Sequence, residues 1–548
     1  MGSAFSGKRL LLVLIPLYIV VLSCIFLNNS LPFYWSQADP TYIHLFNGMN
    51  LASGSMEVGN TDNPGTTIQC FAAAVFFIKH LFSHSSVPLF EDVIVNSESY
   101  LYACSVILIL LFVCVNYYTG VYIFRHTGNI GLSMLFQLIP LININITQRA
   151  ILLEPESLII IVAPFFMAYL FVKAPENKMY INKQLNNMTI IVFGMFSGFL
   201  IASKYTCVPV IILVLFILEK NKHRVLYMGT VIVSFFIFII PALPKIKNMF
   251  QWVWNLATHD GIYGNGEERI INPSQFVKNL KNLFLTDTVF TSIYCIITIA
   301  FLIALVNRIG GKKIIRFFRT ISGIWLSITA LILVVAKHCD FHYFVFAECC
   351  LPFGLIISYK VFHDSFFQFI QGHEKYEKRI LYSTFSLLII FLIVEKVRYT
   401  PSIYTQPLSI NTYLDEYKTI PLIIATKVGT QCERKEYALF MGNSHAGSLR
   451  EKYTRFFKET YPDTYLCLYG QDVLIHWDKI LSIPEFFATH KSTVIYLRAY
   501  DDTAGKFFID KFCARNMNVK GEKCSEQNIY KDSKTLQSIY LIPHVGNQ

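Results

Sequence analysis

The feature that most constrains this chain is a series of apolar runs that are long enough to cross a lipid bilayer. A bilayer core about 30 Å thick needs roughly 20 apolar residues in a helix. We count eleven candidate spans: 9–28, 98–124, 128–147, 152–172, 188–203, 206–218, 225–241, 284–306, 321–336, 344–360 and 380–396. Of the 548 residues, 54% are hydrophobic and only 15% are charged, which is untypical of a soluble domain. The sequence therefore predicts an all-α polytopic membrane domain with about eleven transmembrane helices.

The basic residues predict how these spans are oriented. The formal net charge is +11, but the Lys and Arg residues form short clusters between apolar runs, which does not favour a nucleic-acid partner. The clusters fall on one predicted side if the run at 66–82, which contains Lys79 and His80, is re-entrant or lies on the membrane surface. The excess of positive charge identifies that side as the cytoplasm. We therefore expect a cytoplasmic N-terminus and an outside C-terminal tail, with a bacterial inner membrane favoured over an organelle membrane.

The tail from residue 397 to 548 differs in pattern from the rest of the chain. The stretch "EYALFMGNSHAGSL" predicts a buried strand, a tight turn and a helix, and "STVIYLRAY" predicts a second strand. These elements indicate a small α/β domain outside the membrane. The predicted organisation is thus a membrane domain over 1–396 and an extramembrane α/β domain over 397–548.

Ionisable residues at the predicted outer ends of the spans are the candidates for function. They come from five outer segments: Asp39 and Asp62; Arg149, Glu154 and Glu156; Lys204; His259 and Asp260; Lys337, His338 and His342. A charge bordering lipid is costly and commonly marks a substrate path or a paired site. One such residue alone could be an interfacial side chain that reaches water. Because five segments contribute, we expect a shared cavity at the outer face.

Four stretches of these segments resemble the GT-C glycosyltransferases, which include protein O-mannosyltransferases and the lipid A aminoarabinose transferase. They are "ADPTYIHLFNGMNLASG" with "GNTDNPGTTIQ", then "QRAILLEPESL", "ASKYT" and "AKHCDFHYFVFAECCLP", in family order from about residue 9 to 396. The resemblance implies a GT-C membrane domain that transfers a sugar from a polyprenyl-phosphate donor to an acceptor hydroxyl, with inversion at the sugar centre. The acceptor would be a glycan, a lipid or a protein. The chain departs from the pattern in having Pro40 directly after the aspartate and Glu154 in place of an Asp.

The resemblance also implies roles for individual residues. Asp39 would be the general base that removes the proton of the acceptor hydroxyl. Cations would hold the negative charge that develops on the leaving phosphate. The residues for this donor phosphate site are Arg149, Lys204, Lys337, His338, His342 and Tyr343, with Asp62, Glu154 and His259 in support. No metal ligands are assigned, because His259 and Asp260 are an isolated pair. No cofactor is expected besides the lipid-linked donor, and the need for a divalent metal stays open.

Several of these residues also have a plain structural reading. Asp39 and Pro40 form a common helix start, with Asp as N-cap and Pro at the first helical position. Asp62 lies in an Asn-Pro-Gly turn, and Glu154 could orient Arg149. The aromatic residues of the fourth outer segment could anchor it at the membrane surface or close over a substrate.

Alternatives to the transferase also remain open at this point. The chain could be a transporter or flippase of a lipid-linked sugar, or a non-catalytic scaffold that presents its outer domain. The sequence "GNSHA" resembles the Gly-Asp-Ser block of SGNH hydrolases, with Ser444 in the position of the nucleophile. The Asp-x-x-His block is missing, since Leu541 precedes His544 where the Asp would be. We therefore interpret the tail as a non-catalytic cap.

Overall fold

The structure is a computed structural model, and the part of the chain that it describes is mostly helical. The described residues are 10–138, 141, 144–174, 185–260, 264, 266–309, 317–337, 341–367, 420–426, 434–468, 473–490, 492–498, 509–510, 527–532 and 537–543. The predicted span 380–396 and the candidate residue His338 lie outside them.

Sixteen α-helices precede the C-terminal region among the described residues. In chain order they are α1 (Leu14–Ser30), α2 (Phe33–Ala52), α3 (Thr66–Ser83), α4 (Leu89–Val95), α5 (Ser97–Thr127), α6 (Ile130–Leu138), α7 (Ile144–Arg149), α8 (Pro155–Lys173), α9 (Asn187–Ser203), α10 (Val210–Ile217), α11 (Asn221–Phe238), α12 (Ile246–Thr258), α13 (Pro273–Thr286), α14 (Thr288–Ile309), α15 (Phe318–Lys337) and α16 (Val345–Phe362). Short 3-10 turns at Tyr205–Cys207, Ile240–Lys245 and Phe341–Phe344 connect some of them.

The membrane character predicted from the sequence is confirmed at a coarser level than eleven spans. Within the described residues, six helices are long and apolar enough to cross a membrane, or up to eight if each bent pair counts as one span. One bent pair joins α1 to α2 at 99°, and the other joins α11 to the segment Ile240–Thr258 at 82°. The chain is a candidate multi-pass integral membrane protein, and its orientation stays a prediction.

Three predicted spans differ from the helices observed. The run 128–147 contains two short helices, α6 and α7, and the runs 188–203 and 206–218 form apolar helices of fewer than 18 residues. Helix α3 covers the run that we interpreted as re-entrant, and it meets the length and composition criteria for a span. Lys79 and His80 lie near its C-terminal end, where Lys79 donates a hydrogen bond to the Ser99 carbonyl (2.7 Å). Two basic residues in the last turns therefore do not prevent a helix of this length.

The chain divides into two compact units. The first comprises Met1–Phe26, Thr61–Phe71 and Ala103–Thr400, and the second comprises Leu27–Asn60, Ala72–Tyr102 and Pro401–Gln548. The first unit therefore holds most of the candidate spans. The second contains the segment with Asp39 as well as the C-terminal region, a grouping that the sequence pattern does not indicate.

Small residues allow helices to pack closely in the first unit. Gly194 and Gly198 lie one turn apart on α9, and a Cβ added at either position would lie 2.5 Å from the Cβ of Thr230 or Ser234 on α11. Nearby, the Tyr227 hydroxyl donates a hydrogen bond to Ser197 (2.8 Å). Small residues four apart favour close helix packing in lipid, where no hydrophobic effect drives helices together. This pair of helices presents Lys204 directly after the end of α9.

The C-terminal region in the second unit is a mixed α/β fold, as predicted. Its strands are β1 (Leu422–Thr426), β2 (Thr464–Leu468), β3 (Val473–His476), β4 (Lys479–Ser482), β5 (Ser492–Arg498), β6 (Gln527–Asp532) and β7 (Gln537–Pro543). They form one seven-stranded sheet of order β4-β3-β2-β1-β5-β7-β6. The central strand β1 is parallel to β2 and β5, and the other neighbours are antiparallel. Ile423, Ala425, Ile495 and Leu497 from the central strands form its buried core.

Among the described residues of this region, three helices accompany the sheet, and one of them corrects the sequence-based prediction. They are α17 (Lys435–Ser444), α18 (Arg450–Thr460) and α19 (Ile483–Thr489). The stretch "EYALFMG" is helical in α17, so the predicted strand there is wrong, whereas the strand predicted in "STVIYLRAY" is β5. A short apolar run does not distinguish a strand from a buried helix by periodicity alone. Ser444 consequently ends a helix and does not follow a strand.

Candidate functional site

A buried ion pair lies at the centre of the polar residues in the first unit. The Lys204 ammonium contacts Oε1 of Glu156, and both side chains are only 3% exposed. Lys204 is the residue after α9 and has an extended backbone (φ −159°, ψ 135°), while Glu156 lies in the first turn of α8. The ends of two apolar helices thus place opposite charges in contact. Removing both ions from water is costly unless they are paired in this way.

Two residues of the Phe341–Phe344 turn join this pair. His342 Nε2 lies 3.6 Å from the same Glu156 oxygen that contacts Lys204. The Lys204 ammonium also lies 4.3 Å from the centre of the Tyr343 ring, a geometry in which the ring face attracts a cation. The predicted phosphate-site residues Lys204, His342 and Tyr343 therefore lie together around Glu156, an acid of the second outer segment to which the family resemblance assigns no role.

A second pair at the start of α8 adds Arg149 to the cluster. Its guanidinium donates a 2.6 Å hydrogen bond to Oε2 of Glu154, a contact that fits the alternative in which Glu154 orients Arg149. Glu154 is the extended residue before Pro155, and Pro fits the first position of a helix. The Glu154 side chain is fully buried, and its Oε1 has no hydrogen-bond partner among the described residues. Arg149 is 28% exposed and is the most accessible of the charged residues in these contacts.

These residues form one electrostatic group, which we call the ionic cluster: Arg149, Glu154, Glu156, Lys204 and His342. Glu154 interacts electrostatically with Arg149, Glu156 and Lys204, and Glu156 interacts with Lys204, His342 and Arg149. Each of its two permanent cations, Arg149 and Lys204, contacts a carboxyl group, that of Glu154 and that of Glu156 respectively. An anionic ligand would therefore bind cations that are already held in position by carboxylates.

The turn that contains Asp62 is tied to the helix ends beside the ionic cluster. Gly65 has φ +66°, as the predicted Asn-Pro-Gly turn requires. The next residue, Thr66, donates a hydrogen bond to the Phe238 carbonyl (2.7 Å), and the Thr67 hydroxyl donates to Ser203 (2.8 Å). Asp62 interacts electrostatically with Tyr205, which follows Lys204 in the chain. Its role as a supporting residue stays a prediction.

Lys337 and His259 contact other partners than the ionic cluster. The Lys337 ammonium donates hydrogen bonds to the carbonyls of Leu256 (2.5 Å) and Ala257 (2.8 Å), at the C-terminal end of α12. A cation there satisfies carbonyls that have no partner inside the helix and complements the helix dipole. His259 is hydrogen-bonded to the Thr258 side chain (2.9 Å), and Asp260 forms an ion pair with Arg269. Lys337 thus has a clear structural role at a helix terminus, and its role in phosphate binding stays a prediction.

Asp39 lies in the second unit, at a break within α2. Its backbone is extended (φ −101°, ψ 124°), and a cis peptide bond joins it to Pro40, from which the helix continues. This is the backbone geometry of the helix start that we considered from the sequence. The carboxylate is half-buried and accepts no hydrogen bond from the residues that the structure describes. It interacts electrostatically with His445. Asp39 thus has the backbone of a helix start at this break, and its role as a general base stays a prediction.

The amphipathic stretch after Asp39 packs against the "GNSHA" segment. Asn47 donates a hydrogen bond to the His445 carbonyl (3.2 Å), and Asn50 donates one to the Ala446 carbonyl (2.8 Å). A Cβ at Gly442 would lie 2.5 Å from the Phe46 ring, so only glycine allows this approach. The Ser444 hydroxyl contacts Nδ1 of His445 (2.9 Å), but it also donates to the Met441 carbonyl (2.6 Å). These contacts explain the segment as a helix end fastened to α2.

Glu156 and His445 are the residues whose placement the sequence did not reveal. The sequence did indicate Glu156 as a candidate, since it lies two residues after Glu154 at a helix start. The family pattern, however, has its acidic residue at the position of Glu154. His445 approaches Asp39 only because the two segments meet in the fold. Within the described ranges, no group of three or more His, Cys, Asp or Glu side chains could hold a metal ion.

The fold and these contacts define a multi-pass helical membrane protein with a C-terminal α/β region. Neither a scan against protein-family models nor a search of curated proteins finds a match to this chain.

Proposed function

We propose that this chain is an integral membrane glycosyltransferase that moves a sugar from a polyprenyl-phosphate donor to an acceptor hydroxyl. The observation that carries the proposal is the ionic cluster, in which ion pairs are buried at the ends of apolar helices. Ionisable residues inside a membrane domain are costly and mark functional sites by default. The resemblance of four sequence segments to GT-C enzymes, described above, supplies the reaction class.

The proposed donor site uses the cations of the cluster. Arg149 presents a planar guanidinium suited to two hydrogen bonds with a phosphate, and Lys204 acts as a compact charge. When the bond from the sugar to the phosphate oxygen breaks, negative charge grows on the leaving polyprenyl phosphate, and these cations stabilise it. The buried Oε1 of Glu154 is an acceptor that a donor hydroxyl would satisfy.

The proposed general base is Asp39. It would take the proton from the acceptor hydroxyl while that oxygen attacks the anomeric carbon, so that the sugar centre inverts and polyprenyl phosphate leaves. Asp39 makes no hydrogen bond to the described residues that would compete for its carboxylate. Because Asp39 and the ionic cluster belong to different units, their roles need separate tests.

The test is transfer by the purified full-length chain, supplied with a panel of polyprenyl-phosphate sugars and candidate acceptors. Release of polyprenyl phosphate and glycosylation of the acceptor are both measured. Asp39→Asn is expected to lower turnover by about 10²–10⁴-fold while donor binding persists. The matched control is Asp478→Asn, which changes an exposed aspartate paired with Lys458 (side-chain exposure 52% and 40%).

Two results would overturn the proposal. One is the absence of turnover with every donor and acceptor. The other is movement of a lipid-linked sugar across a vesicle membrane without any transfer, which would favour the transporter. Undiminished transfer by Asp39→Asn would remove Asp39 as the base and leave it as a helix start.

A further inference from the structure

Helix α12 carries an apolar stripe that the described residues of the first unit leave exposed. Phe250 is 50% exposed and Trp254 is 63% exposed. Together with Ile246 they recur every four residues, which places the three on one face of the helix. These side chains, with Lys247 and Gln251, line an open groove of about 550 Å³. An aromatic stripe of this kind needs an apolar partner or an interface.

The direction of the helix indicates what covers the stripe. The segment Ile240–Thr258, which ends with α12, turns by 82° from α11. Helix α11 is long and apolar enough to cross a membrane only when this segment is counted with it. If α11 crosses the membrane, a helix at nearly a right angle to it runs along the membrane surface. Trp and Lys are the residue types that prefer the headgroup region, and both are present on this helix.

The opposite side of α12 is held by the protein. The Trp252 ring lies against Tyr205, with ring centres 6.3 Å apart and planes inclined by 27°. The last carbonyls of the helix accept the hydrogen bonds from Lys337 described above. Met249, the residue directly before Phe250, is fully buried. The helix is therefore fixed on one face and open on the other, which is the pattern of an interfacial helix and not of a mobile loop.

We infer that α12 is an interfacial helix that inserts Ile246, Phe250 and Trp254 into the headgroup region of the membrane in which the chain resides. Lys245 and Lys247 lie at its start, and their charge suits anionic phospholipid headgroups. The inference concerns lipid binding by this helix and does not depend on the proposed glycosyl transfer. Of the two sequence-based readings of these aromatic residues, it selects anchoring over closure on a substrate.

The test is quenching of Trp254 fluorescence in the full-length chain, reconstituted in nanodiscs of phosphatidylcholine and phosphatidylglycerol. The lipids carry bromine either close to the headgroup or close to the end of the acyl chain. Trp254→Phe removes the emission of interest, and Trp252→Phe is the matched control because Trp252 packs against Tyr205. The difference between wild type and Trp254→Phe reports Trp254 alone.

We expect the Trp254 emission to be quenched at least about twofold more by bromine near the headgroup than by bromine near the chain end. Brominated phosphatidylglycerol should quench it more than brominated phosphatidylcholine, and Lys247→Gln should reduce that preference. Quenching of Trp254 by aqueous acrylamide with no effect of either bromolipid would overturn the inference. So would stronger quenching from the chain end, because the helix would then lie deep in the bilayer.

Discussion

Two regions of this molecule bury polar side chains, and they do so in opposite ways. In the first unit, Lys204 and Glu156 bury full charges and contact each other. In the second unit, Asn47 and Asn50 are fully buried neutral amides that bind backbone groups. The amides have an evident structural purpose, whereas the charges satisfy mainly one another.

The amide network shows what polar burial for structure looks like. Oδ1 of Asn47 accepts hydrogen bonds from the backbone N–H groups of Gly59 (2.6 Å) and Asn60 (3.2 Å). Asn50 donates to the Glu57 carbonyl (3.3 Å) and accepts from the Tyr453 hydroxyl (2.8 Å). Backbone groups in irregular segments need such partners when water is excluded. Two asparagines one turn apart therefore fasten a loop and a helix end to α2.

The Lys204–Glu156 pair of the ionic cluster differs from the amides in the groups that it contacts. Within the described part of the chain, the Lys204 ammonium contacts only side chains, those of Glu156 and Tyr343. Apolar residues of similar size could replace a buried ion pair without loss of stability. The comparison thus assigns the amides to folding and supports the functional role that we propose for the charges. Experiments can contradict either assignment.

The largest expected effect follows from separating the two charges. Glu156→Leu leaves Lys204 buried without its acid and should lower the free energy of unfolding by about 3–5 kcal/mol. Adding Lys204→Met should return the thermal midpoint to near that of wild type, since no charge is then left unpaired. Transfer activity should be lost in both variants. A double variant that regains both stability and turnover would show that the pair is structural and would remove the contrast.

The amide network should show the reverse pattern, with a somewhat smaller effect. Asn50→Ala removes three hydrogen bonds and leaves buried backbone carbonyls without a donor, which should cost about 2–3 kcal/mol. Tyr453→Phe removes only one of these bonds and should cost about 1 kcal/mol. Thermal unfolding in detergent measures both. Turnover per folded molecule should stay close to wild type, and a selective loss of turnover would contradict the structural assignment.

The smallest effect concerns an ion pair of the second unit that is less deeply buried. Burial alone would raise the pKa of Glu436, but the Arg434 guanidinium, with contacts of 2.8 and 3.1 Å, lowers that pKa below its ordinary value of 4.5. A depressed folded-state pKa contributes stability above pH 4.5, and that contribution is lost as pH falls through the lower, folded-state value.

We therefore expect the thermal midpoint of wild type to fall on acidification below pH 4.5, and we expect this fall to be smaller in Glu436→Gln, which has no carboxylate to protonate at this position. Asp478→Asn, in the exposed pair with Lys458, serves as the control and should change the midpoint little. An equal acid dependence in wild type and Glu436→Gln would show that this pair carries no stability, which would limit the contrast to the first unit.

Local patterns in the sequence predicted part of the fold and part of the site. The Asn-Pro-Gly turn before α3, the helix start at Pro40 and strand β5 are all found where turn chemistry and apolar runs place them. Arg149 and Glu154 lie five positions apart across a helix start, so their contact could be anticipated. The helix α17 was missed because "EYALFMG" is a short, mostly apolar run, and periodicity alone does not distinguish a strand from a buried helix in such a run.

The sequence by itself determined that this chain is a multi-pass membrane protein with an α/β tail, because run length, composition and alternation are local properties. Only the tertiary structure decided that Glu156 holds Lys204 and His342, and that Asp39 belongs with the C-terminal region. Those contacts join residues far apart in the chain, and a spacing pattern carries no information about which helix ends meet. The burial of a charged side chain and its ion-pair partner both depend on which helix ends are in contact. The role of such a side chain therefore follows from the fold.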